Sequence, residues 1–385
     1  MQYKGFLLTV WLIVFAAATC RAQRDRSYDD VVVTQTRIDA RDLGYPPVDV
    51  IPNGESGITS LAVAPNGDVY GATSGTRAHL FVLSPRHGYV QPLGVLPLTT
   101  SVTNAVAISA TGDVYLGTSP DGHILRYTPR EADRRRIEIG RQLLFTDLGQ
   151  PVRGESVYTL VIDREANVLY GLTSPNAHFF SYSIADSNFH DFGVVSEKIP
   201  FGEKFEKEKM MSRMLAVDRK GIVFVSGEGG VFFRFDPKVQ KLERLAIHVP
   251  SIPGRESWMR ADAFLVDPSG MIYGGTSDGY LFRLDPDTLT VTNLGKPLNQ
   301  NRIDGLVHAP DGQLYGVGGD QDEMARLFSY DPRTGAYKVL GFIDVNRRPY
   351  YTWQAYVIGA LVCGSDGTVY IGENERISKL YLFYP

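Results

Sequence analysis

Residues 115–129 read YLGTSPDGHILRYTP, and the same plan recurs at 70–85, YGATSGTRAHLFVLSP, and at 170–184, YGLTSPNAHFFSYSI. Each has a tyrosine in a short apolar run, a polar loop, a histidine, and then an aromatic-rich run closing on Pro85, Pro129 or Ile184. Short runs of β-branched and aromatic residues punctuated by turn residues predict paired strands. Just upstream of the tyrosine stands a tight-turn residue, and seven copies of that turn lie along the chain: Gly67, Gly112, Asn167, Gly221, Gly270, Gly312 and Gly367. Glycine supplies the positive φ of a tight hairpin, and asparagine tolerates it.

A fourth strand is marked by Leu43-Gly44, Leu93-Gly94, Leu148-Gly149, Phe192-Gly193, Leu245-Ala246, Leu294-Gly295 and Leu340-Gly341. The first of these pairs precedes the first three-strand unit, and the chain stops at Pro385 just after the third strand of the last. The N-terminal segment is therefore expected to complete the final sheet. Seven four-stranded units of about 50 residues, with one sheet shared between the termini, describe an all-β, seven-bladed β-propeller of antiparallel blades. An open solenoid leaves the offset between the two sets of markers unexplained.

The composition agrees: 385 residues, 43% hydrophobic, with 39 glycines and 22 prolines, supply a large core and too much turn chemistry for a helical one. Lys4, the apolar run 6–18 and Ala22 before Gln23 predict a signal peptide over 1–22. That leaves 23–385 as a single propeller domain, secreted or periplasmic, with acylation at Cys20 as the lipid-anchored alternative. Once the signal is removed Cys363 is the only thiol, so packing alone must hold the fold, which is expected to be monomeric. No other run is long enough to span a bilayer. A net charge of -4 without a block of like charge gives no reason to expect nucleic acid.

Loops leaving the second and fourth strands of a propeller blade share one face around the central channel. Six residues before each closing position stand His79, His123, His178, Val231, Tyr280, Arg326 and Lys379, at the mouth of the third strand on that face. All but Val231 can donate a proton or carry positive charge. Either duplicated blades inherited a residue that bonds to its own turn, or the ring is a site. Loops 250–260, PSIPGRESWMR, and 346–356, NRRPYYTWQAY, add Arg255, Trp258, Arg260, Arg347, Arg348, Tyr350, Tyr351 and Trp353. Aromatic rings beside guanidinium groups suit a sugar ring that bears an acid. The charged insertion 197–209 is a candidate lid. Asp262 and Asp304 occupy matching positions in adjacent first strands, as hydrolase carboxylates, ligands for a divalent cation, or strand-end caps. His308 reads as a core residue. There is no GxSxG, HExxH, phosphate loop or CxxC, which removes the enzymes those motifs define.

A secreted seven-bladed propeller with histidines, a tyrosine and arginines on one face resembles the propeller polysaccharide lyases, the ulvan lyases and their rhamnose-glucuronate-cleaving relatives among them. The short repeat also resembles the streptogramin lyase group. The first resemblance implies β-elimination at a uronic acid of an acidic polysaccharide. That chemistry needs a neutralised carboxylate, a base for the C5 proton and an acid for the departing O4. His123 and His178 are the candidate base and carboxylate-neutralising pair, with Tyr280 the candidate acid. His79, Arg260, Arg302, Arg326, Trp258 and Trp353 are the candidate substrate-binding residues. The sequence requires no cofactor, although a divalent cation is possible. The alternatives are a glycoside hydrolase using Asp262 and Asp304, and a noncatalytic propeller that binds a glycan or a protein.

Overall fold

The computed structural model describes residues 31–33, 36–39, 51–130, 145–196, 211–256, 259–320, 322–347 and 351–385. The turn residues behave as their chemistry dictates: Gly67, Gly112, Gly221, Gly270, Gly312 and Gly367 have φ between 79° and 95°, and Asn167 has φ 56°. Each reverses the chain from a first strand into a second. In blade 1 the four strands are Gly57–Val63, Val69–Ser74, His79–Ser84 and Tyr89–Val95, paired in that order and antiparallel. Six further sheets repeat the plan.

Seven sheets make a ring because their first strands contact one another in a closed circuit, from blade 1 through each neighbour to blade 7 and back to blade 1. Apolar clusters fill the seams between adjacent blades, including the seam where Ile58, Leu61 and Phe81 of blade 1 meet Ala360, Tyr370 and Leu380 of blade 7. The tyrosine of the repeat lies in these seams: Tyr70, Tyr115, Tyr170, Tyr273, Tyr315 and Tyr370 are all buried, with Phe224 in their place in blade 4. The glycine beside it has a packing cause. Directly opposite Gly71, Gly171, Gly274 and Gly316 on the third strand stand Phe81, Phe180, Phe282 and Phe328. A Cβ on these glycines would lie 2.1–2.4 Å from the phenyl ring, so each ring is laid over bare backbone.

Closure follows the expected route. Thr36–Asp39 pairs antiparallel with Lys379–Phe383, giving blade 7 its fourth strand from the other end of the chain. The marker Leu43-Gly44 lies outside the described residues, so the closing strand stands upstream of it. A second anchor was not foreseen: Val31–Val33 pairs in parallel with Phe342–Asp344 of blade 6. That contact is possible because the fourth strand of blade 6 runs on as Tyr337–Arg347, past the blade, and then pairs with Tyr351–Gln354. The N-terminal segment therefore ties two blades together. The proposed signal peptide and the insertion 197–209 lie outside the described residues. Among the described residues no helix is long and apolar enough to cross a membrane.

Candidate functional site

Six of the seven third strands begin at or next to the predicted ring positions; the other, Glu323–Tyr330, begins three residues before Arg326. His79, His178, Val231 and Lys379 are first residues of their strands, and His123 and Tyr280 stand one residue before theirs. The three histidines do not share one environment. His79 is 3% exposed, and its Nε2 lies 2.7 Å from Glu55, which also accepts a hydrogen bond from Arg77 Nε at 3.0 Å. Burial pushes the Glu55 pKa up, but the Arg77 and His79 hydrogen bonds outweigh it and hold the carboxyl below its usual range. His79 thus fastens a blade-connecting loop.

His123 and His178 are more open, with side chains 34% and 26% exposed. Each places Nδ1 2.9 Å from an aspartate of its own fourth strand, Asp147 for His123 and Asp191 for His178. Those carboxylates also accept the backbone N–H of Gly149 and Gly193. A carboxylate accepting from Nδ1–H orients the ring and, in a neutral imidazole, makes Nε2 the acceptor. For His178, Nε2 stands 3.8 Å from Glu155, which is itself held by Thr173 and by Asn176 at 2.5 Å. The histidines do bond within their blades, through Nδ1.

Nearer the axis, one position per blade rims the channel. It stands three residues before the one opposite the repeat's second-strand aromatic, and is occupied by Thr59, Asn104, Tyr158, Arg213, Asp262, Asp304 and Gly359. Blades 4 to 6 gather charge here. Arg260 Nε donates to Asp262 Oδ1 at 2.6 Å, and Arg302 Nε donates to Asp262 Oδ2 at 2.7 Å. Asp304 Oδ1 lies 3.1 Å from Arg302 Nε and 3.7 Å from Arg213 Nη1. Burial acts against the charge on Arg213, but Tyr158, Asp262 and Asp304 more than offset it and raise its pKa. Tyr158 of blade 3 lies close enough to Arg213 of blade 4 to favour its charge. Three guanidinium groups against two carboxylates leave this cluster with one net positive charge.

The arrangement revises several expectations. Both oxygens of Asp262 accept from guanidinium groups and its side chain is fully buried, so the pair does not suit the two carboxylates of a hydrolase. Among the described residues no group of three or more His, Cys, Asp or Glu side chains is arranged to hold a metal ion. Arg326 stacks on Phe342 of its own blade, 4.1 Å from the ring centroid, away from the cluster. Tyr280 is half-buried with Lys296 Nζ 5.9 Å above its ring. His308 is half-buried at the last residue of its strand rather than in the core. Trp258 lies outside the described residues; Trp353 stands opposite Val345 on Tyr351–Gln354, and its side chain lies outside them. Arg255 is tied to the buried Asp278 at 3.2 Å, which fixes an exposed guanidinium near blade 5.

Sequence reasoning missed Arg213, Tyr158 and the carboxylates behind the histidines. A signal was present for the last group, since Asp147 and Asp191 each stand two residues before a fourth-strand glycine, and Glu55 and Glu155 both sit in Gly-Glu-Ser. Arg213 and Tyr158 are legible only after the first strands are aligned by register.

No protein-family model matches the chain, and no curated protein matches it in sequence. Solved structures share its fold. Streptogramin B lyase is 13% identical over 86% of this chain and 94% of that one, with a TM-score of 0.61. A catalytically inactive histidine-to-alanine variant of virginiamycin B lyase from Staphylococcus aureus, with quinupristin, is 10% identical over 91% and 99%, with a TM-score of 0.63. The WD40 repeats of RRP9 are 13% identical over 90% and 100%, with a TM-score of 0.57. At these identities the likeness is one of fold, and nothing in it singles out the ulvan lyases.

Proposed function

We propose that this protein binds an acidic polysaccharide on the channel-mouth face and cleaves it by β-elimination at a uronic acid. What supports the reading is that carboxylate-oriented histidines in blades 2 and 3 and a net-positive arginine cluster in blades 4 to 6 stand at strand ends that open on the same face. Arg213, Arg260 and Arg302 are held by Asp262 and Asp304, which fixes three guanidinium groups where a substrate carboxylate would meet net positive charge. Neutralising that carboxylate acidifies the C5 hydrogen. His123 Nε2, backed by Asp147, takes the proton; the C4–O4 bond breaks, a C4–C5 double bond forms, and the departing oxygen takes a proton. Tyr158, on the His178 blade and beside Arg213, takes over from Tyr280 as the proton donor. His178, with Asp191 and Glu155 on either side, is the candidate for the carboxylate-neutralising role. A lyase on this fold that is inactive as a histidine-to-alanine variant supports the use of histidine here.

A binding-only propeller is the second reading, favoured by the WD40 likeness and by histidines that serve their own blades. Incubation with a panel of uronic-acid polysaccharides and mass spectrometry of the products separates the possibilities. Products lighter by one water than hydrolytic oligosaccharides support elimination. Water-added products overturn it, and retention of a polymer without cleavage leaves the binding module.

A further inference from the structure

Where blades 1 and 2 form the channel mouth, hydroxyl groups take the place of the charges of blades 4 to 6. Thr59, at the rim position of blade 1, donates its one proton to Val102 O at 2.7 Å. Ser74 Oγ, 2.7 Å from Thr59 Oγ1, must therefore be the donor of that pair. The same constraint passes outward, so Ser101 donates to Ser74 at 2.7 Å and Thr103 to Ser101 at 2.8 Å. The chain has a direction. At its half-buried outer end Thr103 Oγ1 has its proton engaged and its lone pairs left, and no donor among the described residues reaches it.

A second chain stands beside the first. Ser119 lies opposite Ser101 in the short ladder of Thr99–Ser101 and Ser119–Pro120. It donates to Ser156 Oγ at 3.2 Å, and Ser156 donates to Pro120 O at 3.0 Å, so Ser119 Oγ is also left as an acceptor. The loop leads on to the candidate base, since Thr118 Oγ1 donates to His123 O at 3.1 Å and accepts from His123 N at 2.8 Å. Around the ring the hydroxyls of blades 1 and 2 thus adjoin the histidines of blades 2 and 3, which adjoin the arginine cluster. Positive charge is scarce on the hydroxyl side. The connection 96–105 has no charged residue, Arg77 is paired with Glu55, and the loops 118–123 and 147–156 hold Asp121, Asp147 and Glu155 against Arg153.

We infer that Thr103 and Ser119 form a subsite for an uncharged sugar adjoining the uronate, and that this subsite rejects a sulfate ester on that sugar. A sugar hydroxyl donates to a fixed acceptor, whereas a sulfate oxygen meets it acceptor against acceptor, beside a surplus of carboxylates. Leu98, 85% exposed in the same connection, offers apolar surface to the C–H face of a pyranose. The inference rests on the proposed glycan reading of the mouth and narrows the substrate to polymers in which uronic acid alternates with a neutral sugar.

The test is calorimetric titration of the full-length protein with octasaccharides of unsulfated chondroitin and of N-acetylheparosan, each beside its 6-O-sulfated form, and with oligogalacturonate. Within a pair the backbone is shared and only the charge on the sugar next to the uronate changes. The unsulfated member should bind about tenfold more tightly than its sulfated form. Thr103→Val keeps the shape and removes the acceptor. It should weaken binding of the unsulfated member by about threefold to tenfold, the scale of one neutral hydrogen bond, and narrow the gap within the pair. A sulfated member bound as tightly as its partner, an unchanged affinity in Thr103→Val, or binding of oligogalacturonate alone overturns the subsite and leaves the glycan reading standing. Binding of none of these oligosaccharides overturns both. The wild-type comparison decides the matter if Thr103→Val does not fold.

Discussion

Replacing Asp262 by asparagine tests the channel-mouth cluster most severely, because the change keeps shape and removes charge. The side chain is fully buried, with Arg260 Nε at 2.6 Å and Arg302 Nε at 2.7 Å on its two oxygens. In Asp262→Asn one guanidinium N–H meets an amide carbonyl and the other meets an NH₂ group, donor against donor. Arg260 and Arg302, only 14% and 21% exposed, are left with insufficient counter-charge. Breaking a buried ion pair in this way costs about 3–5 kcal/mol. At about 2 °C per kcal/mol for a domain of this size, the melting temperature should fall by about 6–10 °C. Urea denaturation of Asp262→Asn, Arg302→Met and the double variant then isolates the pair. The double variant should be more stable than the sum of the single losses predicts, by at least about 1 kcal/mol. A loss below about 0.5 kcal/mol for Asp262→Asn, the range of ordinary surface substitutions, would refute the cluster as a fixed anion-binding platform.

Other positions separate catalysis from architecture. His123→Ala should lower turnover by about a hundredfold or more with an unchanged melting temperature, whereas His79→Ala should destabilise the protein, because it leaves the buried Glu55 short of a partner; parallel activity and melting assays show both. Glu55 has a depressed pKa in the folded state, so its contribution to stability is present above the ordinary carboxylate pKa and is lost as pH falls through the folded value. The stability gap between wild type and Glu55→Gln should therefore be constant at neutral pH and shrink below about pH 4.5, the usual carboxylate range. Removing residues 28–44 takes away the closing strand of blade 7 and the anchor on blade 6, and should abolish cooperative unfolding or cause aggregation. Gly274→Ala should cost about 1–3 kcal/mol by overpacking against Phe282, read by denaturant titration.

The fold was legible because its signals are local and repeat. A turn glycine, a buried tyrosine and a fourth-strand Leu-Gly pair each obey short-range rules, and seven copies let each unit correct its neighbours. The parallel anchor of Val31–Val33 was not legible, since nothing in three valines names a partner some three hundred residues away. The candidate site divides along the same line. His123 and His178 were visible as repeated residues, and their aspartates lie within the same repeat. Arg213 and Tyr158 meet only because blades 3 and 4 place equivalent positions side by side at the rim. Asp262 looked like a free carboxylate because the sequence does not reveal that Arg302, forty residues on, reaches back to it.

The ultraviolet absorbance of a uronic-acid polysaccharide digest, followed over time with wild-type protein and with His123→Ala, tests the central claim most directly. The account predicts rising absorbance from the C4–C5 double bond with wild type, and a rate about a hundredfold lower with the variant. Cleavage by wild type without that absorbance, or an equal rate for His123→Ala, would contradict it.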